Sequence, residues 1–329
     1  MKILITGGTG FIGSRLALDC LTRGNKVLAL GQANNLTENE NCKFLQSKGA
    51  EVVIASVTDR GKIFNIIEGI DLVFHLAAAQ HEANVPDKLF WDVNVIGTRN
   101  VLEASEKAGV KCFIHGSTIG VYGSAVNGKL DERSPTYPDN IYGITKLEGE
   151  KLVRSFQEKI PAVIVRITET YGPGDRRLLK LFRAVNKGMF FMIGSGENLH
   201  HLIYVDDLVN GLQLSATADK AIGETIVLAG KEPLTTNQLV ATIANELGTK
   251  IIRWHAPLPL FLLAATILER GLRPMGIQPP IHRRRMDFFS KSFEFSLEHS
   301  RRVLSFQPKC DFKQGVSETA RWYAEKGYL

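Results

Sequence analysis

Lys2-Ile3-Leu4-Ile5-Thr6-Gly7-Gly8-Thr9-Gly10-Phe11-Ile12-Gly13 is the stretch that decides the fold class. Lys2–Thr6 is a short, mostly apolar run, as expected of a buried strand in a parallel sheet. The glycines that follow permit a tight turn, let the backbone approach a pyrophosphate, and allow close packing of helix on strand. The helix N-terminus then offers N–H groups and a positive dipole end to the phosphates. Strand, glycine turn and helix in that order form the context a dinucleotide-binding turn requires. The cofactor contacts expected here are Gly7, Gly10, Phe11, Ile12 and Gly13. The bland alternative is a turn with no ligand.

Working outward, β-like runs alternate with helical segments. Ile12–Arg23 reads as a helix ending at Gly24, and Val27–Leu30, Glu51–Ala55 and Asp71–Leu76 as strands. Val95–Ala108 reads as a helix ending at Gly109. Lys111–Gly116 and Ala162–Arg166 read as strands, with a helix of about Tyr142–Glu158 between them. Parallel pairing by right-handed crossovers follows, giving an α/β doubly wound parallel sheet of the Rossmann type. After Tyr171-Gly172-Pro173-Gly174 strands become sparse. Residues 1–170 are therefore expected to form the dinucleotide-binding domain, and residues 171–329 a smaller, mostly helical substrate lobe. The Ile203–Ala216 helix and Thr225–Leu228 strand (segments near 203–230) are expected to cross back to the first domain.

Composition narrows the classes. At 329 residues, 44% hydrophobic and 22% charged, the chain is neither disordered nor a disulfide-rich mini-protein. A net charge of +6 is mild over this length and does not by itself mark a nucleic-acid binder. Cys20, Cys42, Cys112 and Cys310 are widely separated and read as reduced thiols. The apolar N-terminal stretch is too short for a signal-peptide core. The longest apolar run, Ala256 to Leu268, contains Pro257 and Pro259 and falls short of the roughly 18–20 residues of a spanning helix. A cytoplasmic protein without a transmembrane span is expected.

Tyr142 and Lys146 lie one helical turn apart, on one face. An ammonium near a phenol favours the phenolate. A free tyrosine titrates near ~10, and bringing it close to neutrality takes roughly 4 kcal/mol. Taken alone the pair also fits a solvated helix face. Combined with the glycine loop, it resembles the extended short-chain dehydrogenase/reductase superfamily, in the epimerase/dehydratase branch. The motifs of that family occur here in its order. The Gly7–Gly13 loop is similar to T-G-x-x-G-x-x-G. Asp71 through Leu76, Ala77 and Ala78 resembles the cofactor-lining D-x-V-x-H-L-A-A segment. Asn94-Val95-Ile96-Gly97-Thr98 resembles the N-x-x-G-T helix start, and Gly116 through Gly123 a segment containing a catalytic Ser or Thr. Tyr142-Gly143-Ile144-Thr145-Lys146 matches Y-x-x-x-K. Arg166 through Gly174, then Tyr204-Val205-Asp206-Asp207, complete the order.

The resemblance implies Tyr142 as general acid/base, Lys146 as its pKa-lowering partner and a ribose contact, and Thr118 as holder of the substrate oxygen. It also implies Leu76, Ala77 and Ala78 against the cofactor, NAD or NADP, and a mostly structural Asn94. The acidic residue that usually reads the ribose is absent at Gly31, and Gln32-Ala33-Asn34-Asn35 follows. Ser56 stands where the family usually has an aspartate toward adenine.

Departures narrow the reaction. The 4,6-dehydratases carry Asp-Glu after the catalytic Thr, whereas this chain has Ile119-Gly120, which argues against water elimination. An Arg that grips a nucleotide-sugar diphosphate is replaced by His200-His201-Leu202. That histidine pair fits a lobe interface as well as a substrate contact, and no metal site is expected. Pro257 to Met275 reads as an apolar helix, with Arg270 and Arg273 near its end and Arg283-Arg284-Arg285 after it. This resembles the 3β-hydroxysteroid dehydrogenase-like branch, as does Trp322-Tyr323. It fits peripheral membrane contact, a helix packed over the substrate pocket, or a grip on a substrate diphosphate.

The expectation is an NAD(P)-dependent oxidoreductase or epimerase acting by hydride transfer at a secondary alcohol or ketone of a small-molecule substrate. The alternatives are a nucleotide-sugar epimerase, a 3β-hydroxysteroid dehydrogenase-like enzyme and a non-catalytic dinucleotide sensor. Family habit adds a homodimer. No nucleic-acid partner is expected, since the basic run lacks interleaved aromatics.

Overall fold

The first strand, β1 (Lys2–Thr6), sets the layering. Its side chains alternate, so Ile3 and Ile5 enter one apolar core while Leu4 enters another on the opposite face. In the computed structural model, which describes residues 1–80, 85–124, 128–272 and 283–329, this alternation recurs across the sheet. Chain order in the first half is α1 (Phe11–Thr22), β2 (Lys26–Gly31), α2 (Leu36–Ser47), β3 (Glu51–Ile54), α3 (Arg60–Ile66), β4 (Leu72–His75) and α4 (Asp87–Trp91). A π-helical turn, Asp92–Gly97, leads into α5 (Thr98–Ala108). Then come β5 (Cys112–Thr118), a 3₁₀ turn (Ile119–Val121), β6 (Lys129–Leu130), α6 (Ile141–Ser155) and β7 (Ala162–Ile167).

Beyond β7 the elements shorten. They are β8 (Thr170–Tyr171), α7 (Leu179–Asn186), β9 (Phe191–Ile193), β10 (Leu199–His200), β11 (Ile203–Tyr204) and α8 (Val205–Thr217). After them run β12 (Thr225–Leu228), β13 (Leu234–Thr235), α9 (Thr236–Glu246), β14 (Ile252–Ala256), α10 (Leu258–Leu272), α11 (Arg283–Ser290), β15 (Glu294–Phe295), α12 (Glu298–Leu304) and α13 (Phe312–Glu325).

Seven parallel strands form one sheet in the order β12-β7-β5-β4-β1-β2-β3. Leu16, Ala17 and Cys20 of α1 cover one face with Leu208 and Leu212 of α8. Ile63 of α3, Val101 and Leu102 of α5 and Val153 of α6 cover the other. This is the expected doubly wound Rossmann-type sheet, and β12 joins its edge beside β7. Strand order reverses at β1, between β2 and β4, and the carboxyl ends there form the crevice where such folds bind ligands.

The C-terminal region is mostly helical, and α7, α9 and α13 build a third core around Phe182, Leu239, Ile243, Val316 and Tyr323. Its strands are pieces of two to five residues in two-stranded pairs. The expected Pro257–Met275 helix is α10 over Leu258–Leu272. Arg273 and Met275 lie outside the described residues, as do the side chains of Arg283, Arg284 and Arg285. All four cysteines are unpaired.

Candidate active site

The glycine turn is built for close approach. Gly7 has φ +69°, and a Cβ on it would lie 2.9 Å from the backbone nitrogen of Ala77 and the carbonyl of Leu76. A Cβ on Gly13 would come within 2.8 Å of the Gly7 carbonyl carbon. Glycine is therefore required where the turn meets β4 and where α1 meets the turn. Gly10 caps α1 with no side-chain hydrogen bond, so the first amides of the helix, on Phe11, Ile12 and Gly13, have no side-chain cap. Donors without a cap at a dipole's positive end, above a turn with no room for side chains, fit a pyrophosphate. The Leu76–Ala78 segment lies directly across from Gly7, with the Ala77 N–H donating to Thr6 Oγ1 at 3.1 Å.

Gly31 ends β2 where a ribose-reading carboxylate is usual. A Cβ there would lie 2.7 Å from Thr9 Cγ2 and collide with Thr9 Oγ1. The missing carboxylate follows from Thr9 filling its place. Ser56 bonds Thr58 Oγ1 at 2.7 Å and accepts the Thr58 N–H at 3.1 Å, closing a local turn.

Thr118 and Tyr142 come together at the carboxyl end of β5, and Lys146 follows one turn after Tyr142 on α6. Thr118 Oγ1 accepts the Gly120 N–H at 3.1 Å, capping the 3₁₀ turn. A Cβ on Gly120 would lie 3.4 Å from Thr118 Oγ1 and 3.8 Å from Tyr142 Cδ1, so Thr118 and Tyr142 flank the same glycine. The start of α6, capped by Asn140 accepting the Gly143 N–H at 3.0 Å, presses on this turn. A Cβ on Gly143 would lie 2.5 Å from the Gly120 carbonyl.

Lys146, one turn after Tyr142, is 1% exposed. Burial pulls its pKa down to about 8, with Glu150 pulling the other way. Glu150 is held by Arg166 at 2.8 and 3.0 Å and by Ser117 Oγ at 2.6 Å, and Arg166 Nη1 donates to Tyr122 Oη at 2.9 Å. This buried network fixes α6 to β5 and β7.

Asn94, in the π-helical turn, accepts the Ala79 N–H at 2.8 Å and donates to the Ala79 carbonyl and Thr145 Oγ1 at 3.1 and 3.0 Å. It ties the segment after β4 to α6. His75 bridges Thr6 and Thr98 at 2.8 and 2.9 Å, and burial lowers its pKa to about 3.

Two side chains beside the candidates carried no sequence signal. His115, fully buried, stacks on His75 at 5.5 Å, and burial followed by the Lys146 charge pushes its pKa well down. Arg177 bonds Asp175 at 3.0 Å and the Thr170 carbonyl, and its charge acts on Glu169 and Tyr142. Its place in Asp175-Arg176-Arg177 matches no pattern that marks a site.

His200 and His201, left open by the sequence, are spent inside the protein. His200 bonds Glu169 and Thr236, both at 3.1 Å. His201 bonds the Gly230 carbonyl at 3.0 Å and accepts the Phe295 N–H at 3.1 Å.

Comparison with known proteins identifies the family. Residues 3–229 match the NAD dependent epimerase/dehydratase family. An Escherichia coli O157:H7 relative, N-acetyl-alpha-D-glucosaminyl-diphospho-ditrans,octacis-undecaprenol 4-epimerase, is 32% identical over 267 residues, covering 80% of this chain and 77% of its own. The Arabidopsis thaliana 3beta-hydroxysteroid-dehydrogenase/decarboxylase isoform 2 is 27% identical over 96% of this chain and 61% of its own. In fold, the chain resembles UDP-glucuronic acid 4-epimerase from Bacillus cereus, solved in complex with NAD, with a TM-score of 0.82 and 23% identity over 100% of both chains. The glycine cradle, the ordered motifs and the family match lead to one conclusion: this chain belongs to the NAD-dependent epimerase/dehydratase family and is an NAD-dependent enzyme of the extended short-chain dehydrogenase type.

Proposed function

We propose that the chain is an epimerase that inverts one secondary alcohol carbon of a sugar carried on a diphosphate, the sugar being linked to a nucleotide or to a polyprenol. The supporting observation is the surroundings of Tyr142. The positions next to Thr118 hold Ile119, buried and apolar, and Gly120, which packs between Thr118 and Tyr142. Neither can move a proton, so elimination has no acid or base there, whereas reversible oxidation at a single carbon needs only one. The Escherichia coli relative, whose name places inversion at carbon 4 of a diphospho-linked sugar, supports the substrate class.

In this reading Tyr142 takes the substrate hydroxyl proton and later returns it. Lys146 keeps positive charge beneath the phenol, and Thr118 holds the reacting oxygen in line with it. NAD, when bound, would supply a reversible hydride acceptor, and return of the hydride to the opposite face of the ketone would invert the carbon with no net redox change. Gly7, Gly10, Phe11, Ile12 and Gly13 would hold the pyrophosphate, with Leu76, Ala77 and Ala78 along the ring system. Residues 1–170 with the returning 203–230 segment serve the cofactor, and the rest of 171–329 serves the substrate. A homodimer through first-lobe helices belongs to the proposal, supported by exposed Trp91, Ile96 and Ile144.

A hydroxysteroid-type dehydrogenase is the second reading, favoured by the exposed apolar side of α10. Incubation with NAD and either UDP-N-acetylglucosamine or a polyprenyl-diphospho sugar, read by NMR, separates the two. The epimer should form without absorbance growing at 340 nm. Absorbance growth with sterols, and no epimer from either sugar donor, would overturn the epimerase reading.

A further inference from the structure

Helix α10 is apolar on both sides. Leu258, Phe261, Leu262 and Ala265 pack against Ile193, Ala256, Met286 and Phe289. On the other side Leu260, Leu263 and Ile267 are 60%, 58% and 62% exposed. Their spacing aligns them in one stripe. Trp254 of the adjoining β14 is 59% exposed, its ring 5.6 Å from Phe191, which lies 6.1 Å from Phe261. A helix apolar all round belongs in an apolar medium, and water is not one.

The charge of this region is equally uneven. Residues 251–291 contain six arginines and one lysine against Glu269 and Asp287, a net charge of +5 out of the chain's +6. A second copy docking through the same face would bring two such segments together, and like charges across an interface are unfavourable. An anionic surface with an apolar interior satisfies both features. At about 1.5 Å per residue, α10 is too short to cross a bilayer, and among the described residues no helix is long and apolar enough to do so.

We propose that α10 docks flat on the surface of an anionic phospholipid bilayer. Leu260, Leu263, Ile267 and Trp254 enter the acyl boundary, and the net positive charge carried by the sequence of residues 251–291 favours an anionic surface over a neutral one. A relay of contacts links α10 to the helix that carries Tyr142. α11 packs on α10 through Met286 and Phe289, and Lys291, just past its end, binds Asp139 at 2.8 and 3.0 Å. Asp139 precedes Asn140, the cap of the helix that carries Tyr142. A polyprenol-linked sugar would then be met where its lipid is held. That last link rests on the epimerase reading above, whereas docking itself does not depend on the substrate.

The test is sedimentation of the full chain with vesicles of phosphatidylcholine and phosphatidylglycerol, against phosphatidylcholine alone. Wild type is expected to partition at least tenfold more strongly onto the anionic vesicles. The Leu260→Ser/Leu263→Ser/Ile267→Ser variant is expected to lose at least tenfold of that binding while keeping its thermal shift with NAD, which shows that it is folded. No wild-type binding to anionic vesicles, or undiminished binding by the triple variant, overturns the proposal. So does a wild-type dimer, absent in the variant, that forms without vesicle binding, because it gives the face to a second copy. Vesicle binding without epimer formation would leave docking standing and refute the substrate reading alone.

Discussion

Thr9 occupies the space that a side chain at Gly31 would need, its Cγ2 standing 2.7 Å from where a Cβ would lie. The glycine at the end of β2 is thus imposed by the phosphate turn itself, and Asn41 secures that turn by donating to the Thr9 carbonyl at 2.8 Å. Gly31→Asp alone should lower stability by about 1–3 kcal/mol through overpacking and weaken NAD binding. Adding Thr9→Gly should recover most of both losses. Urea denaturation and thermal shift with NAD read the outcome, and a single variant as stable as its parent would refute the steric account.

Lys146 predicts a conflict between stability and function. Its pKa falls from 10.5 to about 8 because burial penalises the ammonium. Between those values the unfolded chain binds more protons than the folded one, so stability should rise with pH from about 8 upward. At neutral pH the cost is fully present, about 3 kcal/mol at 1.36 kcal/mol per tenfold. Lys146→Met should therefore make the NAD-free protein more stable by up to that amount at pH 7. It should also flatten the rise at alkaline pH and abolish turnover. A variant less stable than wild type at pH 7 would contradict this.

The same ionisation should appear in catalysis. Once Lys146 loses its proton, nothing on its side chain favours the phenolate of Tyr142. The pH profile of kcat/KM should fall above pH about 8. A profile flat to pH 10 would show that Lys146 is not felt at the reacting oxygen.

Arg166 and Glu150 make a buried pair, 3% and 1% exposed. Removing one partner leaves a buried charge uncompensated, so Arg166→Met should cost about 3–5 kcal/mol. Adding Glu150→Gln should recover part of that loss. Chemical denaturation of the double variant and of both single variants measures the coupling, and strictly additive losses would mean that the pair does not act as a unit.

The sheet was legible because β1, β4, β5 and β7 are buried and read as short, mostly apolar runs. Helix α2 was not, since it buries only Cys42 and Leu45 and shows little apolar periodicity. The Val95–Ala108 helix was found, but its approach is a π-helical turn set by tertiary bonds from Asn94, which no local pattern encodes. Around the candidate site, the motif residues could be named because each has a fixed spacing within an element. Thr9 against Gly31, the Lys146 charge acting on His115 and the Arg177 charge acting on Tyr142 could not, because each pairing is made by elements distant in sequence. The roles of His200 and His201 likewise depended on Glu169, Thr236, Gly230 and Phe295 arriving from elsewhere.

The central claim is that Tyr142 moves the proton in a redox-neutral inversion. Tyr142→Phe, assayed for epimer formation from a diphospho-linked sugar, tests it most directly. Turnover should fall by about 10²–10⁴-fold, while the thermal shift with NAD is unchanged. Epimer formation by Tyr142→Phe at the wild-type rate would contradict it.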